Sequence, residues 1–261
     1  KFTVPICATH LLELSLSVVS VLSLGHLGTV ELASASLAGI TANVTGFSVI
    51  SGLVSALDTL LPASYTRQPH LMGLWTQRVG LMVLAVLPLI FFLWLNAERG
   101  LILLGQDPDI AYNARQFLMV LSFGLPGVAI FELCRRFLQA QGMMHAPTVV
   151  LIIVSPLNAV ANFFLVWGPE KYRIGFLGAP MASALSMWLM AALCVVQCAV
   201  ACRETWGGFS RDVWDPAALR TCASLGLAGL ISLASEWWAW EIVGLVTAAL
   251  GTRALASQSV L

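Results

Sequence analysis

Charged residues are scarce in this sequence, and their scarcity decides the class of protein. Asp, Glu, Lys and Arg together make up 10% of the 261 residues, whereas hydrophobic residues make up 59%. A soluble domain usually carries about 25% charged residues, so a chain this apolar would expose too much hydrophobic surface to water. The net charge is zero, which gives no electrostatic reason to bind a nucleic acid. We therefore predict an integral membrane protein that contacts the lipid bilayer and has no nucleic-acid partner.

Motifs for catalysis or cofactor binding are also missing. The sequence has no GxSxG, no Walker loop and no HExxH. Its six cysteines form no CxxC pair and have no histidine at metal-ligand spacing. Cys194, Cys198 and Cys202 share a helical face, where we expect small residues to bring helices close together rather than to bind a metal. We predict that the protein is not an enzyme and that it has neither a cofactor nor a metal site.

Long apolar runs fill most of the chain. A spanning helix needs about 20 mostly apolar residues. This template predicts seven spans, near residues 5–24, 33–57, 79–95, 116–134, 147–167, 176–201 and 222–251. The segments between them are short, so we expect an all-α, up-and-down bundle. Loop Lys and Arg residues number eight on the N-terminal side and five on the other, which places the N-terminus in the cytosol.

Several segments, in order along the chain, resemble the multidrug and toxic compound extrusion (MATE) family in its fungal branch. They include GHLGTVELASASLAGITANVTGFSVISGLVSALDTL (25–60), RFLQAQG (136–142), PLNAVANFFLVW (156–167), GFLGAPMASAL (175–185), TWGGFSRDVW (205–214), SEWWAWEIVGLV (235–246) and LASQSVL (255–261). The resemblance implies a fold of twelve helices in two six-helix lobes around a central cleft. On that template residues 1–201 form the N-terminal lobe, residues 202–221 a cytosolic linker, and residues 222–261 the first helix of the C-terminal lobe.

The same resemblance implies a function. It predicts a secondary active antiporter that exports organic cations or xenobiotics in exchange for protons, or sodium, by alternating access. We expect a multi-pass monomer in the plasma or vacuolar membrane. The chain begins with Lys and stops abruptly, so we expect a piece of a longer protein. Two alternatives stay open: a truncated or diverged copy that does not transport, and a seven-helix receptor, for which the Asp-Arg-Tyr and Asn-Pro-x-x-Tyr motifs are missing.

The stretch SEWWAWE (235–241) contains the main candidate site. Glu236 and Glu241 lie within a predicted span, where an ionised carboxylate costs on the order of 3 kcal/mol unless it faces a cavity or a partner. Trp240 follows Glu236 by four residues and Trp237 precedes Glu241 by four, so each carboxylate has an indole one helical turn away. A carboxylate beside an aromatic face suits a bulky organic cation. In the resembled family these two acidic positions bind substrate and protons, so we predict that role for all four residues.

Two other spans contain asparagines, whose side-chain amides would find no hydrogen-bond partner in lipid. The resemblance makes Asn43, in TANVTGFS, a candidate to line the substrate cleft, with interhelical hydrogen bonding as the alternative. Asn158 and Asn162 share a face behind Pro156, and we expect them to hold helices together.

Charged residues near the predicted cytosolic side carry two further expectations. Glu132 precedes Arg135 and Arg136 by three and four residues, which predicts an exposed ion pair that anchors the helix end. Glu13, in the first span, either takes part in transport or reaches the membrane surface.

The segment DTLLPASYT (58–66) departs from the family pattern. Leu61, Ala63 and Thr66 stand where the family usually has Cys, Gln and Gly. We therefore expect the usual cytosolic turn after the second span to differ in this protein.

Overall fold

The fold is helical throughout the part of the chain that can be described. The computed structural model describes residues 3–25, 27–169 and 173–249, and no β-strand occurs in these ranges, so the predicted all-α fold is confirmed. The helices are α1 (Thr3–Gly25), α2 (Thr29–Ala42), α3 (Ser48–Val54), α4 (Ala56–Arg67), α5 (Met72–Leu95), α6 (Ala97–Leu103), α7 (Pro108–Ser122), α8 (Leu125–Ala140), α9 (His145–Trp167), α10 (Gly178–Ala201), α11 (Arg203–Trp206) and α12 (Pro216–Ala249). A π-helical segment, Asn43–Phe47, joins α2 to α3.

Helices long and apolar enough to cross a membrane match the predicted spans. Within the described residues there are five, namely Thr29–Arg67, Pro69–Leu95, His145–Trp167, Gly175–Ala201 and Pro216–Ser235. Helices α7 and α8 pass the same test together and meet at a bend of 51°, which makes a sixth, broken span. The remaining predicted span overlaps α1, whose apolar part is shorter. Each of the seven predicted spans therefore overlaps a helix, as expected for a multi-pass membrane protein.

The local sequence explains the broken span. At the end of α7 away from the break, Asp107 caps the start of the helix by accepting a hydrogen bond from the Asp109 amide at 2.9 Å. Pro126 lies in the first turn of α8, where its missing N–H costs little. The indole of Trp188, on α10, donates to the carbonyl of Phe123 at 2.8 Å and so satisfies backbone exposed at the break. The bend is therefore held in place by a neighbouring helix.

The connection between the second and third spans is shorter than the polar sequence suggests. Helix α4 continues to Arg67 and α5 begins at Met72, so the predicted boundaries of this loop were too wide. The segment DTLLPASYT lies within α4, including Pro62. The unusual residues of that segment therefore continue a helix in this protein.

A seam of small polar side chains packs α1 against α9. Thr9 hydrogen bonds with Thr148 at 2.8 Å, and Ser15 with Ser155 at 2.7 Å. Hydroxyl pairs of this kind join helices in lipid, where apolar surfaces alone give little preference for one another. Because the paired residue numbers rise together, α1 and α9 run parallel.

The two asparagines of α9 extend this seam into the protein interior. Asn158 is 1% exposed and donates to the Ser186 hydroxyl of α10 at 2.9 Å. Asn162 is 0% exposed and donates to the Asn158 side-chain oxygen at 3.2 Å and to the Ser20 hydroxyl of α1 at 3.4 Å. The interpretation of both as structural hydrogen-bonding residues is confirmed.

Candidate substrate site and charge network

Close backbone contact seats α12, the helix of the main candidate site, against α3. A β-carbon placed on Gly52 would lie 2.5 Å from the Leu230 Cα, and one on Gly229 would collide with the Ser55 hydroxyl. Glycine is therefore required on both sides of this contact. Helix α12 starts at the end of the bundle where α4 stops and α5 begins, so α12 runs antiparallel to α2–α4.

The π-helical segment that begins at Asn43 lies beside this contact, and α12 also touches it. The indole of Trp94 donates to the Thr45 hydroxyl at 2.9 Å and packs edge-on against Phe47. Gly46 leaves room for the same indole, because a β-carbon there would meet it at 2.5 Å. Asn43 itself is half-buried, and no hydrogen bond to its side chain occurs in the described part of the chain. π-helical turns are frequent at functional sites because they turn backbone and side chains out of regular register.

The four predicted residues of SEWWAWE lie on the continuation of α12. The helix continues through them to Ala249. The side chains of Glu236, Trp237, Trp240 and Glu241 lie outside the described residues. The intervening Trp238 is 51% exposed. The structure thus gives the course of the helix that contains these four residues, and their role as a site stays a prediction.

The segment after α10 is fixed to helices α5 and α8. The rings of Trp206 and Phe137 meet edge-on at 6.0 Å. Gln77 donates to the Gly208 carbonyl at 2.8 Å, and the buried Arg78 donates to the Asp212 carbonyl at 2.8 Å. This packing fixes where α12 starts.

A network of charges joins α1, α4 and α8, and it is buried at its centre but open to water at Asp58, whose side chain is 60% exposed. Glu132 on α8 receives hydrogen bonds from Arg135 at 2.9 Å and from Arg136 at 3.0 Å. Arg135 reaches across to Glu13 of α1 at 2.8 Å, and Arg136 lies 3.3 Å from the Asp58 carboxylate of α4. The arginine side chains are only 12% and 11% exposed. Three helices are thereby tied together at one end of the bundle.

The network changes two of the sequence predictions. The pairing of Glu132 with both arginines is confirmed, but the expectation that the pair is exposed is wrong, because the Glu132 side chain is only 9% exposed. Glu13 has a partner on another helix rather than reaching solvent alone. The sequence missed Asp58 as a member. The general cost of a charge in an apolar span was the available signal that Glu13 needed a partner, whereas Asp58 lies just beyond the predicted second span and its side chain is 60% exposed.

Comparisons with known proteins agree with the membrane fold. The MatE family model matches residues 5–164. An uncharacterized transporter of Schizosaccharomyces pombe is 41% identical over 266 residues, covering 100% of this chain and 48% of the relative. Multidrug and toxin extrusion protein 2 of Mus musculus is 32% identical, covering 98% of this chain and 44% of the relative.

A solved structure repeats the same arrangement of helices. The crystal structure of the eukaryotic MATE transporter AtDTX14 superposes with a TM-score of 0.82 at 27% identity, covering 92% of this chain and 52% of that chain. The chain thus spans about half the length of the curated relatives and of the solved structure that it matches.

Proposed function

This chain belongs to the MatE family, whose relatives are named as transporters and extrusion proteins, and on that premise we propose that it serves the export of organic cations or xenobiotics in exchange for protons. The observation that carries the proposal is the seating of α12 on α3 beside the π-helical turn of Asn43. The family match favours transport over the receptor alternative.

The contact between α3 and α12 sets how far the two helices overlap. Gly52 lies against Leu230, and the helices run antiparallel. Both rise about 1.5 Å per residue, so the same register continued along α12 brings residue 239 level with Asn43. The SEWWAWE stretch (235–241) therefore lies at the height of the π-helical turn. This register supports a single site built from both elements.

The residue types at this height suit a cation that competes with a proton. A carboxylate of Glu236 or Glu241 supplies the negative charge, and the Trp237 and Trp240 indoles supply apolar area and cation–π attraction. Asn43 adds an amide that has no partner among the described residues. A carboxylate that binds a proton or an organic cation, but not both together, exchanges one for the other.

The remaining features of the proposal concern the whole protein. Residues 1–201 form the first lobe, residues 202–221 the linker on the cytosolic side, and residues 222–261 the first helix of a second lobe. Export proceeds by alternating access of the site between the lobes, in a monomer with a cytosolic N-terminus in the plasma or vacuolar membrane. The packing of Trp206 and Asp212 onto the first lobe supports a linker that follows that lobe as it moves.

Conservative substitution of the two glutamates in the full-length protein tests this proposal. Glu236→Gln and Glu241→Gln keep the side-chain size but cannot exchange a proton, so each variant should reach the membrane and lose export, Glu236→Gln more severely. The measurement is efflux of a fluorescent organic cation driven by an imposed pH gradient, repeated with a sodium gradient.

The matched control is Glu98→Gln. Glu98 forms a partly exposed pair with Arg115 at 3.4 Å, far along the chain from α12, and its variant should export normally. Glu132 is not a neutral control because it lies within the buried network. Normal proton-driven export by both α12 variants would contradict the site, and export driven by sodium alone would contradict the coupling ion.

A further inference from the structure

Helices α8 and α10 pack against each other along their length. At one end, a β-carbon placed on Gly127 of α8 would lie 2.9 Å from the Met187 backbone of α10. Past the other end, the Thr205 hydroxyl donates to the side-chain oxygen of Gln141 at 3.1 Å. Because the paired residue numbers rise together, the two helices run parallel. Their backbones are therefore close enough for short side chains to meet across the contact.

Two cysteine thiols meet between these contacts. The Cys198 thiol of α10 donates to the backbone carbonyl of Cys134 on α8, with a sulfur-to-oxygen distance of 3.9 Å. The two thiols also lie within hydrogen-bonding reach of each other. A disulfide needs Cα atoms about 4.4–6.8 Å apart, which for two helices requires close contact of this kind. The pair is therefore placed for a bond between α8 and α10.

Exposure separates this pair from the other cysteines around it. Cys134 and Cys198 are half-buried, whereas Cys194 and Cys202, one helical turn to either side of Cys198, are buried. A thiol reacts only where a reagent can reach it. Cys198 also lies near the end of α10, next to the segment that we predict to be cytosolic, so a small water-soluble reagent has a short path to it. Cys194 and Cys202 serve in packing, and the half-buried pair is open to reaction as well.

We propose that Cys134 and Cys198 form a redox-modification site, at which a hydroperoxide joins α8 to α10 through a reversible disulfide. One sulfur, as its thiolate, attacks an oxygen of hydrogen peroxide, so that the O–O bond breaks, a sulfenic acid forms, and the displaced hydroxide takes up the proton of that thiol as water. The second sulfur then attacks the sulfenic sulfur, the S–O bond breaks, and the hydroxide leaves with the proton of the second thiol as another water. The two sulfurs are oxidised and the peroxide is reduced.

The disulfide would add a second attachment to the broken span. The indole of Trp188 on α10 already holds the backbone at the break, through its hydrogen bond to the Phe123 carbonyl. A bond from Cys198 to Cys134 would fasten the same helix to the opposite half of α8. This inference does not rest on the proposed transport function, because formation of the bond needs neither substrate nor gradient.

Peptide mapping of the full-length protein tests the pair. The protein in detergent is treated with hydrogen peroxide and unfolded, its free thiols are alkylated, and it is digested without reduction for mass spectrometry. We expect a linked peptide that contains Cys134 and Cys198, lighter than the two separate peptides by two hydrogens, and its loss after dithiothreitol. Cys222, buried on α12, should keep its alkyl label throughout.

Serine variants supply the controls. Cys134→Ser and Cys198→Ser should each lose the linked peptide, and dimedone should label the sulfenic acid left on the remaining cysteine of at least one of them. Cys194→Ser, at a buried cysteine on the same face of α10, should still form the bond. A link from Cys134 to Cys194 or Cys202 would overturn the assignment, as would two alkylated thiols after peroxide treatment. Absence of dimedone label from both variants would contradict the route through a sulfenic acid.

Discussion

Arg135→Met is the substitution that most directly measures the buried network. The guanidinium of Arg135 bridges Glu13 of α1 at 2.8 Å and Glu132 of its own helix at 2.9 Å, and its side chain is 12% exposed. Methionine has a similar length and fills the same space, so packing is largely kept while the charge is removed. The remaining groups are three carboxylates and the single guanidinium of Arg136.

The expected loss follows from leaving Glu13 without its arginine and Glu132 with Arg136 alone. Removing one member of a buried ion pair typically costs about 3–5 kcal/mol, because the other charge stays buried and unbalanced. Each kcal/mol shifts the unfolding temperature by about 2–4 °C for a chain near this size, so we expect a decrease on the order of 10 °C. Glu132→Gln should cost less, since two carboxylates and two guanidiniums then remain in balance. Adding Glu132→Gln to Arg135→Met should therefore recover part of the loss.

Thermal unfolding of the purified chain in detergent, followed by tryptophan fluorescence, provides the measurement. The matched control is Arg115→Met, which removes a partly exposed ion pair with Glu98 and should cost less than about 1 kcal/mol. A decrease for Arg135→Met no larger than that of the control would refute the reasoning. The same conclusion would follow if the double variant were less stable than Arg135→Met alone, because balance of charge would then not explain the effect.

Two further predictions concern packing and topology. Gly52→Ala should destabilise the chain by about 1–3 kcal/mol, because the new methyl group meets the Leu230 backbone, whereas Gly39→Ala, where the added carbon has open space, should be neutral or stabilising in the same unfolding assay. Equal effects at both glycines would contradict the close contact of α3 with α12. Single cysteines at Ser210 and Gln106 test the predicted orientation. The first should need a membrane-permeant reagent and the second should react from outside, and the reverse pattern would invert the topology.

Sequence alone was sufficient for the membrane class, the seven helical regions and the family. Apolar length determines where a helix can cross a bilayer, and this signal depends only on neighbouring residues. The same local reasoning found the pairing of Glu132 with Arg135 and Arg136, because helical periodicity places residues three and four apart on one face. It also marked Glu13 as a charge that needed a partner without showing which residue supplied it.

Tertiary structure decided the features that depend on distant parts of the chain. Burial of Glu132 and its connection to Glu13 and Asp58 arise only when α1, α4 and α8 pack together, since contacts across more than 70 positions leave no local periodicity. The seating of α12 on Gly52 and the π-helical turn at Asn43 are likewise set by packing between helices. The sequence by itself determined which segments lie in the membrane, because hydrophobic transfer is nearly additive along the chain. Only the packing decided which charges meet and how α12 is seated, because those free energies depend on geometry between helices.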